Sequence, residues 1–268
     1  MTGSADTDIS ISIRDLVATI EIQRPPANFF DESLLRQIGD ALLKLDENPD
    51  CRVVILASQG KAFCAGANFG TGQEDGTGSS DFSEDGFQNA LGHLYQAGVA
   101  LFRTTKPIIA AIQGAAVGGG LGLALVADFR IASPAARFSA NFVKLGIHQG
   151  FGISVTLPRL IGNQAAQNML LTGRRVSGNE ALELGLVDQL VDADNLREAA
   201  HQFALQITEN APLAVASVRA TLRAGLADAV AEAVEHELAE QQRLRATKDA
   251  YEGIRAVSER RPGNFIGE

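Results

Sequence analysis

Three consecutive glycines, Gly118–Gly120, end one apolar run and open another in "AVGGGLGLALVADFR", which spans Ala116 to Arg130. Glycine has no Cβ, so main chain approaches main chain or ligand closely there, and the N–H groups that start a helix have no partner within it. The segment that follows, Leu121–Val126, holds no acid, base or nucleophile. Whatever this corner does, it does with backbone amides. A second glycine-punctuated loop, "GKAFCAGANFG" (60–70), follows the apolar run "RVVILAS" (52–58). Two such loops, each after a buried strand, can aim two N–H groups at one oxygen and stabilise negative charge developing on it.

The rest of the chain sorts into strands and helices by period. "ISISIRDLVATIEI" (9–22) alternates apolar and polar residues and predicts a hairpin turning near Arg14-Asp15. A 3.6-residue stripe (Leu34, Leu35, Ile38, Ala41, Leu42, Leu45) predicts a helix starting at Asp31. Residues 70–86 are a low-complexity insert with five acids (Glu74, Asp75, Asp81, Glu84, Asp85) and no base, expected as a surface loop. A helix from about Phe87 to Phe102 precedes two further strands, "KPIIAAIQG" (106–114) and "FRIAS" (129–133). "FSANFVKLGIHQGFG" (138–152) reads as a loop. Repeating strand–helix units thus fill 1–193 as an α/β core, and 194–268 is a helical C-terminal region broken at Asn210-Ala-Pro212, at Gly225 and near Pro262. Its apolar residues, among them Leu196, Phe203, Ile207, Val215, Val218 and Leu222, are too many for a free tail and should pack on the core or on neighbouring subunits.

Composition removes several function classes. At 268 residues and 46% hydrophobic, the chain can bury a full core. A net charge of -9 argues against a nucleic-acid partner, and apolar runs well short of the roughly 20 residues of a bilayer span argue against a membrane one. "MTGSADTDIS" lacks the charged and apolar regions of a secretory leader. Cys51 and Cys64 form no CxxC and no metal spacing, which suits free thiols in a cytoplasmic protein without a metal. The glycines at 118, 120 and 122 lack the spacing of a dinucleotide fingerprint, and "GKA" lacks the Ser/Thr of a Walker loop.

Taken together, "RPPANFF", "RVVILASQGKAFCAGANF", "KPIIAAIQGAAVGGGLGLALVADFRIAS", "ARFSANFVKLGI", "LTGRRVSGNEALELGLVDQLV" and "ERRPGNF" resemble the enoyl-CoA hydratase/isomerase (crotonase) superfamily over nearly the whole chain. The resemblance implies a crotonase-like spiral of ββα units with a C-terminal helical trimerisation region, giving a homotrimer or a dimer of trimers. It implies an acyl-CoA thioester as substrate, with no separate cofactor, and lyase- or isomerase-type chemistry. By motif match, the N–H groups of Ala67 and Gly119 would hold the thioester oxygen. Ala65 and Gly66, in the "CAGA" loop, stand where the family binds CoA through its backbone, and Arg260 where a basic residue reaches the CoA phosphates. Before Asn28 many members carry a base; here it is Ala27, which leaves Arg24 or Lys61 as substitutes.

Hydration of an enoyl thioester needs one group to activate water and another to deliver a proton. The glutamates that serve hydratases of this family match Gly122 and Phe142, and neither residue ionises. Other members draw catalytic groups from nearby positions, which here read His148, Gln149 and Gly150. A dehalogenase-like histidine matches Tyr95, but the carboxylate that would work with it falls on Gly150; a decarboxylase-like tyrosine falls on Gln149. His148 is the leading candidate for proton transfer, because only histidine titrates unperturbed near neutrality; the alternative is that it shapes its loop. Tyr95 is a hydroxyl donor or a pocket wall, and Asn141 a substrate contact or, preferably, a turn cap. Phe142, with Phe69 and Phe151, would wall a bulky apolar acyl pocket. Three readings stand: a hydratase/isomerase-type enzyme with atypical residues, a hydrolase using water held by His148, and a non-catalytic acyl-CoA binder.

Overall fold

The computed structural model describes residues 7–67 and 84–268. The expected hairpin forms from β1 (Ile9–Arg14) and β2 (Val17–Ile22), which pair antiparallel with Arg14 opposite Val17. Its two turn residues, Asp15 and Leu16, have φ of 54° and 66°, the left-handed pair whose twist matches that of the flanking strands. Asp31 caps α1 (Glu32–Glu47) by accepting the Leu34 N–H at 2.9 Å, and all six residues of the predicted stripe are buried. β3 (Val53–Ser58) then runs parallel to β2.

α2 (Glu84–Ala100) begins three residues before the predicted start and ends in a 3₁₀ turn, Leu101–Arg103. Glu84 and Asp85, assigned to the acidic surface loop, are therefore its first two residues; the other three acids, like Phe69, lie outside the described residues. β4 (Ile108–Ile112), β5 (Ala115–Val117), α3 (Gly119–Val126), β6 (Phe129–Ala132) and β7 (Arg137–Ser139) follow. The loop expected over 138–152 is more ordered than its sequence suggests. Phe138 and Ser139 belong to β7, and Asn141–Leu145 form a 3₁₀ turn. The chain continues through α4 (Ile153–Thr172), β8 (Arg175–Ser177), α5 (Gly178–Glu183) and β9 (Gln189–Leu190) into α6 (Leu196–Thr208), α7 (Pro212–Leu222), α8 (Leu226–Arg245) and α9 (Lys248–Ser258).

One sheet has the order β1-β2-β3-β4-β6-β9, parallel from β2 onward, and a smaller one the order β5-β7-β8. Every residue of β3 and β4 is buried, as parallel strands covered on both faces require. One face packs Leu56, Ala110 and Ile112 into the core that includes α1, α3 and part of α8. On the other face α6 lays Leu196, Ala200 and Ala204 against Val53, Ile55 and Ile109, and Phe203 meets Phe129 at 4.9 Å. The helical region thus divides. α6 completes the core, whereas α7 leaves Leu213, Val218 and Leu222 exposed. α7 is anchored instead by Asp128, which accepts from Arg219 at 2.9 Å, from Arg223 at 3.0 Å and from the Ile108 N–H at 2.8 Å. No helix among the described residues is long and apolar enough to cross a membrane.

Candidate active site

The first glycine loop leaves the carboxyl end of β3, and the second leaves the carboxyl end of β5 in the smaller sheet and opens α3. Two amide side chains set the first loop in place. Asn28, fully buried with φ 50°, donates to Gln59 O (2.7 Å) and Ala62 O (2.8 Å), while Gln113 donates to Ser58 O, Gly60 O and Ala62 O. Phe63 and Cys64 then both donate to Ala115 O at 3.0 Å, and Val117 returns a bond to Cys64 O, so the two loops are stitched together.

The glycines are what permit this approach. A Cβ on Gly120 would sit 2.0 Å from Cys64 O, and one on Gly66 (φ 94°) would sit 2.9 Å from Val117 O and 3.3 Å from Gly119 N. The main chain beside Ala67 therefore lies against that of Gly119. Among the described residues, neither the Ala67 nor the Gly119 N–H has an acceptor. Gly119 opens α3, so the positive end of that helix points the same way. Phe30 bridges to Ala67 and lays its ring over Gly119, where a Cβ would come within 2.5 Å of the ring.

Hydrocarbon occupies the two positions matched to glutamate. Gly122 is covered by Phe151, whose Cβ, Cγ and Cδ1 would lie 2.7–2.8 Å from a Cβ at 122. Phe151 holds φ 65° and is 2% exposed; its ring meets Phe30 with centroids 5.4 Å apart. Phe142 is buried as well, with its ring tip 3.7 Å from where a Cβ on Gly118 would lie. Asn141 does not cap its turn: the cap position is Ala140, without a side-chain bond. The Asn141 Oδ1 instead faces Gly118, at 3.6 Å from that Cβ position.

The titratable candidates sit behind this wall, on the α8 side. Tyr95 Oη donates to Gln241 Oε1 at 2.6 Å, and burial with the nearby Glu237 charge pushes the phenol's pKa up. Gln241 Nε2 donates to His148 O. The His148 ring bonds its own loop at Gln149 O (2.8 Å) and meets His236 of α8 edge-on at 5.8 Å. Gln149 donates to Ser154 Oγ. Glu237, fully buried, accepts the N–H groups of Gly152 (2.8 Å) and Ser154 (3.0 Å); burial raises its pKa against those bonds. The structure thus ties Tyr95 and the His148 carbonyl to Gln241 of α8, the His148 ring to its own loop and Gln149 to Ser154 of α4, rather than to the amide pair. Glu237 and Gln241 had no motif to signal them; only their spacing of four on one helix face marks them as neighbours.

The comparisons with known proteins agree with this architecture. A sequence profile described as enoyl-CoA hydratase/isomerase matches residues 12–268. The chain belongs to the enoyl-CoA hydratase/isomerase family. It is 34% identical to a carnitinyl-CoA dehydratase of Proteus mirabilis over 97% of this chain and 98% of that protein. An enoyl-CoA hydratase from Bacillus anthracis superposes with a TM-score of 0.74 at 33% identity, covering 97% of this chain and all of that one (100%). An enoyl-CoA hydratase from Mycobacterium avium gives a TM-score of 0.83 at 26% identity over 98% and 100%.

Within this family, whose substrates are acyl-CoA thioesters, the CoA candidates stand in different surroundings. Ala65 gives its N–H to Ala27 O, which orients the loop, and Gly66 O accepts from Phe30. Lys61 and Arg260 are exposed. Arg24 is paired with Asp8 at 2.5 Å and with Asp31 at 2.8 Å, a pairing that lowers the Asp8 pKa and raises that of the guanidinium. No cluster of metal-binding side chains occurs among the described residues.

Proposed function

We propose that this chain is an acyl-CoA enzyme of the hydratase/isomerase type that stabilises a thioester enolate with the N–H groups of Ala67 and Gly119. One observation carries the reading: two glycine loops are locked together beside the start of α3, and neither of these N–H groups has an acceptor among the described residues. Two donors aimed at one oxygen favour charge that arrives during reaction over charge already present. Ala65, Gly66, Lys61 and Arg260 form the CoA side of this proposal. Arg24 is not counted on that side, because Asp8 and Asp31 already pair with it. The exposed apolar face of α7 supports assembly into a trimer or a dimer of trimers.

Ordinary hydration does not suit this site. Gly122 and Phe142 offer no proton acceptor, the Tyr95 hydroxyl is bonded to Gln241 of α8, and the His148 ring is bonded within its own loop. General acid–base help is worth roughly 10²–10⁴-fold per group, so crotonyl-CoA should be hydrated slowly. The Phe151 ring over Gly122 also favours a second reading, a binder of acyl-CoA without proton chemistry. Turnover on an acyl-CoA panel separates the two.

The amide pair itself is tested by spectroscopy. A conjugated enoyl thioester polarised at its carbonyl should absorb at longer wavelength when bound. A side chain at 119 strikes Phe30, so the informative comparison is Gly119→Ala/Phe30→Ala, which keeps the N–H, against Gly119→Pro/Phe30→Ala, which removes it. Only the proline variant should lose the shift, together with about 3–4 kcal/mol of transition-state stabilisation in any turnover found. An unshifted spectrum in the wild-type complex would overturn the reading.

A further inference from the structure

Phe151 is held where it is by more than its own packing. It is a non-glycine residue at φ 65°, a conformation that persists where its surroundings enforce it. On one side, Gly150 leaves room for Tyr95 Oη, which would lie 2.0 Å from a Cβ there. On the other, Glu237 grips the Gly152 N–H. The ring is thereby pressed onto Gly122 and toward α2, where Gly98 makes room for it: a Cβ at 98 would lie 3.2 Å from two ring carbons.

Behind the ring lies an apolar seam between α2 and α8, lined by Gly98, Val99, Phe102, Val230 and Val234 with Tyr95 at its end. With Phe151 in place the seam has no space for a water molecule. The ring also stands next in line from the amide pair, since Phe30 touches both Gly119 and Phe151. Sequence alone makes Phe151 a wall of a roomy pocket; in the structure it fills the space instead.

We infer that Phe151, seated on Gly122 and plugging the α2–α8 seam, sets the depth of the acyl pocket and restricts the chain to short acyl groups. This rests on the acyl-CoA reading above. Replacing the ring by a methyl group opens the seam toward Gly122 and Phe30, beside the amide pair, and the walls it exposes are mostly hydrocarbon, which suits an unbranched apolar chain. Tyr95, Gln241 and Glu237 act through Phe151 as positioning residues.

The test is calorimetric binding of CoA, acetyl-CoA, butyryl-CoA and octanoyl-CoA to the full-length chain and to Phe151→Ala. A single methylene fitted or misfitted in an apolar pocket changes recognition by roughly 10–200-fold. Octanoyl-CoA should therefore bind Phe151→Ala at least about tenfold more tightly than it binds the wild type, with CoA and acetyl-CoA unchanged within about twofold. Should Phe151→Ala fail to fold, Phe151→Leu keeps most of the packing and should shift the preference in the same direction by less. Equal octanoyl-CoA affinity in wild type and folded variant overturns the inference and leaves the acyl-CoA reading intact. Failure of the wild type to bind CoA or any thioester overturns that reading, and the inference with it.

Discussion

Gly122→Ala adds one methyl group, and the structure says where it goes: 2.7 Å from Phe151 Cβ and 2.8 Å from Cγ and Cδ1. Carbon atoms settle near 3.5–4.0 Å, so the ring must retreat by about 1 Å. It cannot do so freely, because Phe30 lies across it and its backbone is pinned between Gly150 and the Glu237 bond to Gly152. Overpacking of this kind costs about 1–3 kcal/mol. At about 2 kcal/mol, and 2–4 °C per kcal/mol for a chain approaching this size, the melting temperature should fall by roughly 4–8 °C. Phe151→Ala alone should cost about 3–5 kcal/mol through the cavity it leaves. In the double variant the methyl group enters the vacated space, so the two losses should fall short of their sum by about 1–3 kcal/mol. Urea unfolding at one fixed protein concentration measures all four corners of the cycle. Gly122→Ala within about 0.5 kcal/mol of wild type, or an additive cycle, would refute the packing argument. The same reasoning governs grafted chemistry: Gly122→Glu/Phe142→Glu should gain no hydration of crotonyl-CoA until Phe151 is also made small.

Three further outcomes are expected. Burial raises the pKa of Glu237, so the folded state holds that proton more firmly than the unfolded chain does. The contribution is fully present below the ordinary carboxylate range and is lost as pH rises through the raised value; Glu237→Gln should remove this slope from stability-versus-pH curves, and an unchanged slope would assign it elsewhere. Arg24→Ala should lower stability by up to about 1 kcal/mol and leave CoA affinity unchanged, whereas Arg260→Ala and Lys61→Ala should weaken CoA binding in a salt-dependent way; calorimetry at two ionic strengths decides. Light scattering should report an oligomer, and Leu213→Glu/Leu222→Glu on exposed α7 should dissociate it; a stable wild-type monomer at micromolar concentration would contradict the assembly.

Much of the site's outline is legible before folding. The first glycine loop follows β3 as its apolar run predicts, the second follows β5, a three-residue strand beyond the run over 106–114, and the stripe from Leu34 to Leu45 is the buried face of α1. Glu84 and Asp85 open α2 instead of closing a loop, because acidic residues suit a helix's positive end as well as they suit a surface loop. The 138–152 segment carries no visible strand signal because Phe138 and Ser139 pair with β5 and β8, strands of three residues each, too short for periodicity to register. Composition marks 194–268 as helical without sorting its helices: α6 is a layer of the core and α7 leaves apolar residues exposed, because helix period tells which residues share a face but not what that face meets.

The amino-acid sequence by itself determined the family, the two main-chain donor loops and the absence of ionisable side chains at positions 122 and 142. Each is a matter of residue identity at a spacing: glycine where backbones touch, and hydrocarbon where acids would stand. Tertiary structure alone decided what replaces the acids and where the remaining titratable groups went. Phe151 reaches Gly122 across 29 positions because Tyr95, Gln241 and Glu237, from two distant helices, clamp the loop that carries it. His148 acquires its aromatic neighbour from α8 for the same reason. Contacts between segments far apart in the chain depend on how helices pack on the sheet, and no local pattern of residues encodes that packing.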